Sequence, residues 1–261
     1  MSSELSLLFA PEFRTPSRVG LKAEFEAEGA RFDDLVAYSN VAHATGTPLV
    51  IKIGGCEAVS DLNLAKMLGS GKIVAPMIET TFALRKFAGA AASVYGERRD
   101  QRPLMLFNIE TERSAVEHEE LLDAAVDLAI DGVVVGRGDL TESMGLARGE
   151  VESSAVTDHL RRILTAARSR GLICGFGGGV STRTVPLALA LRDEGVLDYF
   201  ETRKVLLAPG PEVEREDLRR EVLIALKFEL GWLEHKRAFY AGIVGEDDAR
   251  IQRLGSEIER G

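Results

Sequence analysis

The segment that decides the fold is DGVVVGRGDL, residues 131–140. Its centre is a run of three valines between two glycines, and the run passes directly into Arg137 and Asp139. A short continuous apolar run of this kind is typical of a strand that is buried on both faces, as in a parallel sheet. Charged residues that come directly after such a strand predict a catalytic or binding site at its carboxyl end.

Further apolar runs of strand length repeat this pattern, with segments of helical periodicity between them. The predicted strands are Val19–Ala27, Pro48–Gly54, Lys72–Ile78, Pro103–Glu110, Gly132–Arg137, Leu172–Phe176 and Asp198–Ala208. The alternation of strands and helices predicts βαβ units and a parallel sheet. The chain has 261 residues, and one α/β barrel needs about 250. We therefore predict a TIM barrel of the (β/α)8 type.

The two ends of the chain depart from the regular pattern. An eighth strand fits Leu5–Ala10, but the segment after it is too short for a normal helix, so we expect an irregular first strand. We assign residues 1–211 to the barrel and residues 212–261 to a helical extension of the same domain. A long C-terminal helix is predicted from Glu214 to about Tyr240, with apolar residues at helical spacing. The sequence leaves open whether this helix packs on its own barrel or on a neighbouring subunit, and we expect a homo-oligomer through it.

Composition excludes several classes of partner. The net charge of −9 argues against nucleic acid, because binding to a phosphate backbone needs a basic surface. There is no signal-peptide pattern and no stretch of the roughly 18 apolar residues that a membrane span needs. Cys56 and Cys174 lie far apart in no metal-ligand spacing, which is typical of reduced thiols. We expect a cytoplasmic protein with a small anionic substrate.

Several charged residues lie inside predicted strands, where charge is rarely buried without a partner. Lys22, Glu24 and Glu26 share one parity of a strand whose other face is apolar, and Lys52 is the one charge in its strand. Because alternate residues of a barrel strand point inward, we predict that these side chains face the barrel mouth. All four histidines fall in helical patterns, which disfavours a histidine base or a zinc site.

Glu110 and Asp139 end consecutive predicted strands. Two strand-end carboxylates about one strand spacing apart suit Mg²⁺ or Mn²⁺, with substrate and water as further ligands. Strand-end acids also cap the helices that follow them, so the pattern has two readings. The glycine-rich segment 175–179 likewise fits either a phosphate site or a tight turn. Arg203 is predicted to reach the mouth or to pair with Glu201.

Three motifs resemble the HpcH/HpaI aldolase and citrate lyase β-subunit family, which are phosphoenolpyruvate/pyruvate-type barrels. They are VAPMIET at 74–80, NIET at 108–111, and DGVVVGRGDL at 131–140 followed by Met144-Gly145. The resemblance covers roughly Val19 to Ala208. It implies a class II (divalent-metal) aldolase or carbon–carbon lyase that acts through a pyruvate-like enolate. The family's two metal carboxylates fall on Glu110 and Asp139.

The resemblance also assigns the substrate residues. The family's substrate-binding arginine falls on Lys52, and we expect Lys52 or Arg137 to neutralise the substrate carboxylate, with Gly136 and Arg203 beside it. The family's histidine base is absent here. Glu24 or Glu26 is therefore expected to shuttle protons, with a pKa raised by burial among acids.

The expected substrate is a small 2-oxo acid, with an aldehyde or a phosphorylated compound as a candidate acceptor. Three alternatives stay open at this point. They are a Schiff-base aldolase that uses Lys52, an acyl-CoA lyase of the citrate lyase type, and a non-catalytic ligand-binding barrel.

Overall fold

The computed structural model describes residues 17–25 and 28–260. Within these ranges eight strands form a closed barrel in sequential order, which confirms the predicted TIM barrel. The strands are β1 (Arg18–Glu24), β2 (Leu49–Lys52), β3 (Lys72–Ala75), β4 (Leu104–Ile109), β5 (Gly132–Gly136), β6 (Ile173–Gly177), β7 (Tyr199–Glu201) and β8 (Val205–Leu207). The additional strand considered at Leu5–Ala10 lies outside the described residues.

Helices surround this barrel. They are α1 (Phe32–Thr45), α2 (Val59–Met67), α3 (Thr81–Tyr95), α4 (Glu112–Val116), α5 (His118–Asp127), α6 (Arg137–Ser143), α7 (Ser154–Ser169), α8 (Val185–Asp193) and α9 (Arg215–Ile258). The main core lies between the strands and the helices. A smaller inner cluster fills the barrel below its mouth and includes Val50, Leu106 and Tyr199. None of the helices in the described ranges is both long and apolar enough to cross a membrane.

The barrel closes through a hairpin rather than through a crossover helix. Strands β1 to β7 are parallel, whereas β8 runs antiparallel to both β7 and β1. The prediction of one strand over Asp198–Ala208 was therefore wrong. The chain reverses at Thr202, whose hydroxyl accepts hydrogen bonds from the backbone N–H groups of Lys204 and Val205 at 3.3 and 3.1 Å. The pairing of β1 with β8 also shifts register between Arg18 and Gly20.

Because β8 returns to the amino-terminal end of the barrel, helix α9 starts there and runs in the direction of β1 to β7. Near its start Glu221 accepts a hydrogen bond of 2.6 Å from Arg18. Farther along, Trp232 packs edge-on against Tyr38 with ring centroids 4.9 Å apart. The Lys204 ammonium lies over both rings and is paired with Glu28. Through its contact with Trp232, Lys204 connects helix α9 to the β7–β8 hairpin.

Candidate active site

A cavity of about 610 Å³ opens at the carboxyl ends of the strands. Its charged lining residues are Lys22, Glu24, Lys52, Glu110, Asp139, Glu142, Arg148, Glu201, Arg203 and Glu229. Four of these are cationic and six are anionic, so the lining carries an excess of two negative charges when every group is ionised. A divalent cation would neutralise that excess. No histidine of the described ranges lines the cavity.

Glu110 lies at the floor of this cavity, directly after β4, and its side chain is 1 % exposed. One carboxylate oxygen accepts a hydrogen bond of 2.8 Å from the backbone N–H of Met77. The other accepts one of 2.7 Å from the side-chain amide of Asn108 and lies 3.4 Å from the Lys52 ammonium. A Cβ atom on Gly136 would lie 2.5 Å from Glu110 Oε2. Glycine at this position therefore leaves room for the carboxylate.

Asp139 lies in the first turn of α6 and faces Glu110. Burial and the negative charge of Glu110 together raise the pKa of Asp139, despite the opposing effect of Lys52. A negative charge that raises the pKa of a neighbouring carboxyl group also favours a cation between the two groups. The structure thus brings the two predicted metal ligands together.

The candidate metal ligands are all oxygen atoms and come from few residues. This suits a divalent ion that also binds substrate and water. The buried side-chain oxygen of Asn108 has no hydrogen-bond partner, so it is a third acceptor beside the two carboxylates. Among the described residues no cluster of three or more His, Cys, Asp or Glu is arranged to hold a metal. Glu110 and Asp139 would therefore leave other positions for substrate and water, as Mg²⁺ sites commonly do.

A second charged cluster joins β1 to β7. The Lys22 ammonium lies 2.8 Å from Glu24 Oε1 and 2.5 Å from Glu201 Oε1, and all three side chains are more than nine-tenths buried. Burial disfavours the charged form of Lys22, but Glu201 and Glu24 outweigh it and raise its pKa. Burial alone would raise the pKa of Glu24, yet the charges of Lys22 and Lys52 lower it to about 2. The expectation that Glu24 has a raised pKa was wrong, because its nearest partners are cations.

The other predicted substrate residues are divided between the cavity and the barrel wall. Lys52, Gly136 and Arg203 line the cavity. Arg203 lies in the turn of the β7–β8 hairpin, half-exposed and 3.9 Å from Glu24. Glu26, the other candidate base, lies outside the described residues.

Arg137 does not line the cavity, contrary to its predicted contact with substrate. Its side chain is fully buried, stacks on Phe176 at 4.7 Å, and pairs with Glu152 at 3.1 Å. It also donates to the carbonyl oxygens of Gly177 and Gly178. A Cβ atom on Gly178 would lie 2.2 Å from the backbone nitrogen of Gly138. Glycine is therefore needed at position 178, because the backbone of the glycine-rich loop passes close to the backbone at Gly138. This supports the interpretation of the loop as a tight turn.

Sequence reasoning did not identify Arg148 and Glu229 as lining residues. Arg148 lies in a short 3-10 turn after α6, and Glu229 lies on α9. Neither residue comes directly after a strand. The rule that functional residues of a barrel lie at the carboxyl ends of its strands could therefore not identify them. Asn108 precedes Glu110 by two residues, and the sequence predicts that the two share one parity at the strand end, where both line the cavity.

The fold and the cavity define the class: a TIM barrel with an acidic pair at the carboxyl ends of neighbouring strands. The family model for HpcH/HpaI aldolase/citrate lyase matches residues 27–177. The chain belongs to the HpcH/HpaI aldolase/citrate lyase family. The family consists of lyases and aldolases, which generally use divalent metal ions. No curated protein sequence matches the chain.

Solved structures, two of them named as members of the same family, share the fold. An HpcH/HpaI aldolase from Desulfitobacterium hafniense superposes with a TM-score of 0.61 at 14 % identity, covering 76 % of this chain and 81 % of that one. An HpcH/HpaI aldolase/citrate lyase family protein from Burkholderia cenocepacia gives 0.59 at 21 % identity, with coverage of 77 % and 83 %. A variant of the citrate synthase SbnG gives 0.58 at 13 % identity, with coverage of 87 % and 89 %. At such identities the likeness concerns the fold alone.

Proposed function

We propose that the protein is a divalent-metal carbon–carbon lyase or aldolase that acts on a small 2-oxo acid through a pyruvate-like enolate. The observation that carries this proposal is the pair of facing carboxylates, Glu110 and Asp139, with the unpartnered oxygen of Asn108 beside them. Membership of a family of lyases and aldolases supports the same class of reaction.

Glu110 and Asp139 would hold Mg²⁺ or Mn²⁺ at the cavity floor. When bound, such an ion supplies a Lewis acid for the substrate's keto oxygen. The backbone N–H of Met77 and the amide of Asn108 fix the Glu110 carboxylate, so this ligand is oriented before any ion arrives.

Lys52 is the residue best placed to bind the substrate carboxylate. Its side chain is 15 % exposed, lines the cavity and lies 3.4 Å from Glu110. Its ammonium offers a point charge rather than the planar fork of an arginine. The pairing with Glu110 favours this binding role over the Schiff-base alternative, because an ammonium has no lone pair with which to attack a carbonyl.

Arg203, at the rim, would bind the more distal part of an anionic substrate or acceptor. Gly136 lines the cavity, and its lack of a side chain leaves the Glu110 carboxylate in place beside the ligand. Glu24 is ionised at neutral pH and accepts hydrogen bonds, but a pKa of about 2 makes it a weak base. We therefore assign Glu24 to keeping Lys22 and the pocket floor in place, and Glu26 is the remaining glutamate candidate for the base.

Exchange of the pyruvate methyl protons with D₂O, followed by NMR, tests the proposal. The wild-type protein should catalyse exchange in the presence of Mg²⁺ or Mn²⁺, and EDTA should abolish it. Glu110→Ala and Asp139→Ala should each reduce exchange at least 100-fold. Glu112→Ala, which removes an exposed acid two residues beyond Glu110, should leave it unchanged.

Two results would contradict this assignment. One is exchange that survives EDTA together with a borohydride-reduced pyruvate adduct on Lys52. The other is wild-type metal affinity by calorimetry in both alanine variants.

A further inference from the structure

Helix α9 brings a glutamate, Glu229, to the wall of the cavity. Glu229 is half-buried and lines the cavity together with Leu226, which precedes it by three residues and so lies on the same face of the helix. One turn further on, Trp232 packs against Tyr38. A packed stretch of the helix therefore holds Glu229 in place at the cavity.

Glu229 differs from the other lining glutamates in its partners. Each of the other four has a cationic group within 4 Å, namely Lys22 for Glu24 and Glu201, Lys52 for Glu110, and Arg148 for Glu142. Within the part of the chain that the structure describes, Glu229 has no such ion pair, although it lines the same cavity. A carboxylate that no cation holds in its charged form takes up a proton more readily.

The surroundings of Glu229 raise its pKa. Burial has the largest effect, and the charge of Glu28, in the segment before α1, adds to it. Cations of the β7–β8 hairpin and of β1 act in the opposite direction without cancelling the rise, namely Arg203, Lys204 and Lys22. Glu229 is therefore a stronger proton acceptor than Glu24, whose pKa is about 2.

The position of Glu229 around the barrel suits a proton acceptor. The charges that act on it come from the β7–β8 hairpin, β1 and the segment before α1, whereas Glu110 and Asp139 follow β4 and β5, across the barrel. Lys52, at the end of β2, lies between these two sides. The keto carbon of a 2-oxo acid is planar. A substrate with its carboxylate at Lys52 and its keto oxygen at the acidic pair therefore directs C3 away from both, towards a third side of the cavity.

We propose that Glu229 is the general base that removes a proton from C3 of the bound 2-oxo acid. This inference rests on the proposed function. The proton moves to a carboxylate oxygen of Glu229, the electron pair of the C3–H bond forms the C2–C3 double bond of the enolate, and the keto oxygen takes the negative charge. The reverse step returns the proton to C3. Helix α9 thereby supplies the base that a histidine would otherwise provide.

The first test follows the exchange of pyruvate methyl protons with D₂O by NMR at saturating Mg²⁺. Glu229→Gln should lower kcat for exchange roughly 100-fold or more, which is the usual contribution of a general base. Pyruvate and Mg²⁺ should still bind to this variant with wild-type affinity by calorimetry, and circular dichroism should show that it is folded. Glu229→Asp should retain part of the exchange. Glu234→Gln, which changes an exposed acid of the same helix, should exchange at the wild-type rate.

A second test uses the pH dependence of kcat for exchange. The base must be ionised, so the wild-type rate should rise with pH through a limb whose apparent pKa lies above 4.5, the ordinary value for glutamate. Arg203→Gln should move this limb to higher pH, because it removes one of the cations that lower the pKa of Glu229.

The proposal is overturned if the wild type catalyses exchange and Glu229→Gln does so at the same rate, or if exchange is lost in Glu26→Gln instead. The assignment of metal-dependent enolate chemistry survives either result. Loss of pyruvate binding in Glu229→Gln also overturns it, because Glu229 would then be a binding residue. A wild type that shows no exchange with Mg²⁺ and bound pyruvate refutes the proposed function itself, and this inference with it.

Discussion

Replacing Glu24 by glutamine should destabilise the fold at neutral pH and much less at acid pH. The substitution removes the negative charge beside Lys22 but keeps the shape of the side chain and one accepting oxygen. The folded-state pKa of Glu24 is about 2, against an ordinary value of 4.5. At 1.36 kcal/mol for each pH unit, that difference corresponds to roughly 3 kcal/mol of stability in the ionised state.

The sign of the pH dependence follows from the lowered pKa. Above about pH 5 the carboxylate is ionised in both the folded and the unfolded chain, and the full stabilisation is present. As the pH falls from 4.5 towards 2, the unfolded chain binds a proton that the folded chain does not. The stabilisation is lost over this window, so the wild type and Glu24→Gln should converge in stability.

Urea unfolding followed by circular dichroism, at pH 7, 5, 4 and 3 with EDTA present, measures this difference. The variant should be less stable than the wild type by roughly 3 kcal/mol at pH 7, and the gap should narrow steadily below pH 4.5. Glu112→Gln, at an exposed position, should show no gap at any pH. A gap of the same size at pH 7 and pH 3, or a variant as stable as the wild type at pH 7, would refute the reasoning.

Two further predictions concern the glycine above Glu110 and the buried arginine. Gly136→Ala should lower Mg²⁺ or Mn²⁺ affinity at least tenfold by calorimetry, because the new Cβ would displace Glu110 Oε2, whereas Gly138→Ala, whose Cβ meets its nearest atom at 3.7 Å, should bind normally. Arg137→Met should lower the free energy of unfolding by about 3 kcal/mol, because it removes the donors to the buried carbonyl oxygens of Gly177 and Gly178 and the ion pair with Glu152. A large rise in KM without loss of stability would instead place Arg137 at the substrate.

The sequence was sufficient for the barrel and for the proximity of Glu110 and Asp139, because both rest on local rules. Strands that are buried on both faces appear in the sequence as continuous apolar runs. Glu110 and Asp139 come just after two such strands, which are parallel neighbours in the sheet. The hairpin at Thr202 was missed because the segment is apolar on both sides of a turn that contains neither glycine nor proline. The pKa of Glu24 could not be predicted either, since it depends on Lys52 from the neighbouring strand and on how closely Lys22 approaches.

The place of Glu229 at the cavity could not be predicted from the sequence either. Its place at the cavity depends on the direction in which α9 runs, and that direction depends on the antiparallel β8. No feature of residues 215–258 alone carries this information.

The direction of α9 also decides what the carboxyl terminus can tolerate. A helix rises about 1.5 Å per residue, so Ile258 stands about 40 Å beyond Glu229, well clear of the cavity. A tag or a fused domain added after the helix would therefore leave the cavity open to substrate. Shortening the chain after Tyr240 would spare every residue that lines the cavity, whereas shortening it before Leu226 would remove one wall of it.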